Sequence, residues 1–343
     1  MNMVSRLIAR PALVVTWLSF FAATALPGLA VHAEELKLAH WMSPRHTMHA
    51  KVMEPWAQEI MKMSNGALTV KIYPGGALGK GPVAQFQRAV DGVADITFGL
   101  PGFTSSQFLR TGVIELPNVA VDGPDGTNKL WAVLDKQLAS EWSRVKVLGL
   151  WLGEPQVLLM RSKPIRTVAD LQGVKIRTPS KTQANTIAAL GATPVPMPIN
   201  QVYNALSTGV IDGALTGAST LRSFKLGEVV KYITVGLPLG RSPFFLVMNK
   251  KSWDGLSPEE KTLIDKTTGR GLSLKASQVY EDEYASIIAA ARKDGSPEVI
   301  TFSPEEAKQA DAMLRATRDK LADDLEKQGV PAKEILAAMG VKG

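Results

Sequence analysis

The sequence contains no cysteine. Disulfides, thiol catalysis, thiolate metal sites and a cysteine-linked lipid anchor are therefore all excluded. Histidine is nearly as scarce, with four in 343 residues. A serine nucleophile would need one of them as its base, and no Gly-x-Ser-x-Gly elbow is present to carry the serine. No apolar run reaches the ~20 residues of a membrane-spanning helix. Basic residues do not cluster into a stripe interleaved with aromatics, which argues against nucleic-acid binding.

The N-terminus reads as an export signal. Arg6 and Arg10 precede an apolar stretch from Ala12 to Ala25, and small residues lead to Val31-His32-Ala33, suited to cleavage after Ala33. A mature chain of about 310 residues remains, long enough for two lobes with separate cores. Export without disulfides suits a bacterial periplasm. The net charge of +7 falls to +5 when Arg6 and Arg10 leave with residues 1–33. That excess is interspersed with acids, as in Glu259-Glu260-Lys261, and reads as a solvated surface.

The mature chain alternates short β runs with amphipathic helices, the pattern of an α/β fold with mostly parallel strands. Leu36 and Leu38 open a first strand, and Val52, Trp56, Ile60 and Met63 mark a helix stopped by Asn65-Gly66. Leu68, Val70 and Ile72 alternate as a second strand. A helix through Phe86, Ala89, Val90 and Val93 leads to a third at Ile96-Thr97-Phe98. The order recurs: a capping box at Thr167 to Asp170, a strand Val174–Thr178, a helix closing at Gly191, a strand around Val195 and a helix through Val202, Ala205 and Leu206. Gly92-Val93-Ala94-Asp95 and Gly209-Val210-Ile211-Asp212 echo one another at matching places. Two similar lobes enclosing a cleft are expected, a common setting for a small-molecule site. Ser257-Pro258 and Ser303-Pro304 read as helix starts, and Leu272–Arg292 as one helix long enough to run along both lobes.

Catalytic and metal constellations are not found. Pro74 to Gly81 resembles a phosphate loop only loosely, because Pro74 and Gly81 stand where glycine and Ser/Thr are needed. His46 and His49, three apart near a helix start, lack a third ligand and read as polar residues at a helix entrance. Arg177 stands out at the carboxyl end of a strand, where open α/β sheets place ligands. Its side chain alternates away from Val174 and Ile176, and its planar fork matches a carboxylate. An ordinary surface arginine remains the alternative.

From this segment onward the chain resembles a known family. Asp170 to Pro179, Leu190-Gly191-Ala192, Pro194 to Met197, Val202 to Leu206 and Gly209 to Gly213 resemble the solute-binding proteins of TRAP (tripartite ATP-independent periplasmic) transporters, the DctP-like family. Lys71 to Pro74, Leu78-Gly79, Leu116-Pro117 and Asn249-Lys250 agree. The resemblance implies a two-lobed periplasmic binding protein with crossing strands and a long lobe-spanning helix. The first lobe would hold residues 34–157 with about 247–285, the second about 158–246 with about 286–343.

The same resemblance implies that Arg177 pairs with a ligand carboxylate, and that small and large membrane subunits take up the ligand. A sensing role is the alternative it leaves open. No cofactor, metal or catalysis is implied, and a monomer is expected. The chain departs from the family where ligands are chosen: Gln156 or Val157 stands where many members carry a second arginine, and Thr216 where many carry asparagine. Trp41, Leu100 with Pro101, and Phe244-Phe245 fall at other expected contacts. These substitutions point to one anchored carboxylate in an apolar pocket, fitting an aromatic or branched monocarboxylate or a 2-oxo acid.

Overall fold

The computed structural model describes residues 34–341; the expected export signal lies outside them. Ten strands form: β1 (Glu34–Ala39), β2 (Leu68–Tyr73), β3 (Ile96–Gly99), β4 (Val145–Met160), β5 (Lys175–Thr178), β6 (Thr193–Pro196), β7 (Gly213–Gly217), β8 (Tyr232–Val235), β9 (Arg241–Asn249) and β10 (Glu298–Thr301). Their order is β2-β1-β3-β9-β4-β7-β5-β6, with β8 against β4 and β10 against β8.

Two copies of one unit are built into this order. β1 is parallel to β2 and β3, and β5 is parallel to β6 and β7. The echoed Gly-Val-x-Asp segments do the same work in each copy. Gly92 and Gly209 take φ of +71° and +75°, a left-handed turn that glycine adopts without a Cβ clash. Val93 and Val210 are exposed while Ala94 and Ile211 are buried. Asp95 then accepts the Lys37 backbone N–H and Asp212 the Lys175 backbone N–H, both at 2.8 Å, fastening each third strand beside the first.

The crossing strands β4 and β9 join the halves. β4 pairs with β9 through Pro155, then with β7 and β8 from Gln156 onward. A register break between Leu152 and Pro155 marks the change of partner, and Pro155 has no N–H to lose from the ladder. Each half has a core on both faces of its sheet. Alternation along β4 distributes Val157 and Leu159 to one second-lobe core and Leu158 and Met160 to the other.

The helix Gly269–Asp294 spans about 39 Å at 1.5 Å per residue. Leu272, Ala276 and Tyr280 enter a first-lobe core, and Ile287, Ile288 and Ala291 a second-lobe one. The helices from Pro258 and Pro304 begin at Ser257 and Ser303, whose side chains accept the Glu260 and Glu306 N–H groups.

Three sequence expectations need correction. The C-terminal segment from about Ala322 does not belong with the second lobe: Ala322, Val330, Ile335 and Leu336 pack into the first-lobe core beside Leu130 and Trp142. The helix Pro304–Glu326 makes the crossing, with Ala310 and Leu314 in a second-lobe core and Ala322 in the first-lobe one. Thr167 and Asp170 do exchange capping hydrogen bonds, but around a single turn of 3₁₀ helix, Ala169–Leu171. The second expected helix stops at Val90, leaving Val93 outside it. His46 and His49 stand at a helix entrance, and both are buried there. Together with His40 they form a compact group in which His40 Nε2 and His49 Nδ1 share a 2.9 Å hydrogen bond.

Candidate functional site

The carboxyl ends of β1, β3, β5 and β7 converge on one cavity between the lobes. It holds about 570 Å³ of space not filled by protein atoms, partly open to solvent. Trp41 follows β1, Leu100 follows β3, Arg177 lies near the end of β5 and Thr216 near the end of β7; all four line the cavity, with Gln156 and Phe244. In each copy of the repeated unit the first strand lies between the other two, so successive connections leave to opposite sides and open a crevice at the carboxyl ends.

Arg177 is 1% exposed. Its Nε donates to Met197 O at 2.9 Å and its Nη1 to Leu215 O at 3.2 Å. These two bonds set the plane of the guanidinium. Nη2 has no hydrogen-bond partner among the described residues, so the fork's outer edge is free. Burial pushes the group down to about 9, which leaves it charged at neutral pH. Arg177 is the one Lys or Arg among the described residues lining the cavity.

The same cavity carries an aromatic wall. Trp41, Phe98, Phe244 and Tyr280 stack in a row, with successive ring centroids 5.1, 5.5 and 5.1 Å apart. Three of the four face the cavity, where Phe103 and Phe224 join them. Phe245 does not. It is one residue along β9, points to the other side of the sheet, and packs edge-on to Phe86 and Trp142. Its ring lies so close to Gly99 that a Cβ there would overlap it.

Several polar groups at the cavity escaped sequence reasoning. Glu154, beside the β4 register break, is 4% exposed, and its carboxyl accepts the Ser219 backbone N–H at 3.1 Å and the Ser219 hydroxyl. Burial pushes it up to about 8. The signal was present: Glu154-Pro155-Gln156 interrupts an otherwise apolar strand from Leu148 to Met160. His46 accepts the Met48 N–H on Nδ1 at 3.2 Å, so its proton sits on Nε2 and offers a donor. Burial, with His49 nearby, lowers His46 to about 4 and keeps it neutral. Ser242 Oγ accepts from both Gln156 Nε2 at 2.9 Å and Gln183 Nε2 at 3.2 Å, which turns its own proton outward as a further donor.

The two lobes touch across the cleft. The Ser180 hydroxyl donates to Glu115, and the Lys181 N–H to Ser105 Oγ at 3.3 Å. A second hollow beside these contacts, lined by Ser105, Glu115, Lys181 and Asp324, has no buried cation among its described residues. No described group of three or more His, Asp or Glu is placed to hold a metal, and no described helix is long and apolar enough to cross a membrane.

Comparison with known proteins agrees with this fold. Residues 38–324 match the family described as bacterial extracellular solute-binding protein, family 7, DctP. The 2,3-diketo-L-gulonate-binding periplasmic protein YiaO of Escherichia coli K12 is 28% identical over 92% of this chain and 93% of its own. A TRAP solute-binding protein from Rhodoferax ferrireducens T118, in complex with copurified benzoate, is 28% identical over 90% of this chain and 96% of its own, with a TM-score of 0.85. A marine-metagenome TRAP solute-binding protein specific for aromatic acid ligands, bound to 3-hydroxybenzoate, is 30% identical over 90% and 97%, with a TM-score of 0.84. The chain belongs to the DctP family of TRAP solute-binding proteins, whose members serve transport by capturing small organic acids.

Proposed function

We propose that this protein is the periplasmic subunit of a TRAP transporter that captures an aromatic monocarboxylate between its lobes. The ligand's carboxylate accepts from the free edge of Arg177, and its ring lies against Trp41, Phe244 and Tyr280. Leu100 closes the apolar side, while Gln156 and Thr216 border the arginine. The observation that carries this reading is a single buried cation facing a stacked aromatic wall. One charge-assisted fork matches one carboxylate. A dicarboxylate would leave its second charge without a cation, and a sugar acid would bury hydroxyls against rings. Relatives bound to benzoate and 3-hydroxybenzoate support the same class.

Release follows reopening of the cleft, and the ligand passes to small and large membrane subunits. Residues 1–33 direct export, and the protein works as a monomer. A thermal-shift screen tests the ligand class with benzoate, 3-hydroxybenzoate, a branched 2-oxo acid, succinate and galactonate. Ligand at a hundredfold excess over Kd stabilises by about 2.7 kcal/mol, which raises the midpoint by several degrees. Aromatic acids should give that rise. Strong stabilisation by galactonate or succinate, with the aromatic acids inert, overturns the reading.

A further inference from the structure

Arg177 accounts for the charged end of a ligand, but the cavity also holds an acid to which that pairing gives no role. Glu154 is buried on the register break of β4 and lines the cavity. Ser219 occupies only part of its bonding capacity: Oε1 takes the hydroxyl and shares the backbone N–H, while Oε2 has only the other share of that N–H, at 3.1 Å. A carboxyl group has more capacity than this even when protonated, with one O–H donor besides its remaining acceptor sites. No cation lies within salt-bridge distance of it among the described residues. Arg241 is bonded to Glu281 and to Gly153 O, and Glu283 meets Lys51 and Arg222. The fold makes room for this acid as well, since any side chain at Gly217 would overlap its carboxyl. Burying such a group without a full set of partners is costly, so an occupant that completes the set is favoured.

We propose that Glu154 determines specificity by accepting a hydrogen bond from a hydroxyl group that an aromatic acid carries away from its carboxylate. This rests on the aromatic-acid reading above. A hydroxyl supplies the missing donor without adding charge to a cavity whose one cation already faces the carboxylate. Burial keeps Glu154 largely protonated at neutral pH, which disfavours a cationic ligand group as the alternative donor. The carboxyl can also turn its proton toward the hydroxyl oxygen.

The test is calorimetric titration of wild type, Glu154→Gln and Glu154→Ala with benzoate, 3-hydroxybenzoate, 4-hydroxybenzoate, mandelate and 3-(aminomethyl)benzoate. Wild type should bind at least one hydroxylated acid about tenfold or more tighter than benzoate, since a site built for a hydroxyl discriminates against its absence. Glu154→Ala should bring that ratio within about twofold, and Glu154→Gln, which keeps an acceptor oxygen, should retain about threefold. Far-UV circular dichroism confirms folding, and the near-isosteric glutamine variant decides the matter if alanine disrupts the Ser219 segment. An unchanged ratio in both folded variants, no preference in wild type, or tightest binding of the aminomethyl acid overturns this inference while leaving the aromatic-acid reading intact. Failure of every aromatic acid to bind wild type overturns both.

Discussion

Replacing Arg177 with alanine removes the one Lys or Arg that the described residues give the cavity, and both hydrogen bonds it can give a carboxylate. Its Nε and one Nη1 hydrogen are committed to Met197 O and Leu215 O. The remaining edge, Nη1 with Nη2, is the two-pronged donor. Each hydrogen bond to a charged group contributes about 1.5–3 kcal/mol. Two such bonds amount to about 3–6 kcal/mol, or roughly a hundredfold to ten-thousandfold in Kd. Arg177→Lys keeps a charge but not the planar fork, so its loss should fall between wild type and alanine. Titration calorimetry with benzoate reads the effect, and benzamide serves as the uncharged control. Wild type should bind benzamide far more weakly than benzoate, and Arg177→Ala should narrow the gap. Benzoate binding within threefold of wild type after Arg177→Ala, or equal affinity of wild type for both compounds, would refute the reasoning.

Other expectations follow from the packing and the buried acids. Burial raises Glu115 to about 7 and Glu154 to about 8 from ordinary values near 4.5. Their contribution to stability is complete below pH 4.5 and is lost as pH rises through 7 and 8. His40 and His46, lowered to about 3 and about 4, act oppositely, contributing above 6.5 and losing that contribution as pH falls toward 4 and 3. Above pH 6.5 only the acids act, so the thermal midpoint should decline between pH 6.5 and 9, and Glu154→Gln should flatten the decline; a rising midpoint contradicts this. Gly99→Ala forces a Cβ into the Phe245 ring and should cost about 1–3 kcal/mol in urea unfolding. Phe245→Ala empties a core site and should cost about 3–5 kcal/mol, and it should spare the ratio of benzoate to 3-hydroxybenzoate affinity that a cavity residue would disturb.

The repeated unit was legible in the sequence because its parts are local. Each Gly-Val-x-Asp places a glycine where φ must be positive, an outward valine, an inward residue and an aspartate facing a strand start, all within four positions. Arg177 could be singled out because a strand's period of two sets it apart from Ile176, although its burial involves partners 20 and 38 residues away, Met197 and Leu215, that leave no trace nearby in the sequence. The same period separates Phe244 from Phe245, but the sequence does not say which face of β9 meets the cleft. That depends on β4, sixteen residues long, changing partners at Pro155. Glu154, His46 and Ser242 were missed for a related reason: their roles arise from Ser219, Met48 and Gln183, partners supplied by turns and crossings rather than by spacing. The return of Ala322–Met339 to the first lobe is likewise a tertiary choice, since an amphipathic helix can cover either core.

A crystal structure of the protein grown with 3-hydroxybenzoate examines the pairing at the centre of the account. Both carboxylate oxygens should lie within about 3 Å of Arg177 Nη1 and Nη2, with the ring against Trp41 and Phe244. Density for the acid elsewhere, or a carboxylate turned away from Arg177, would contradict it.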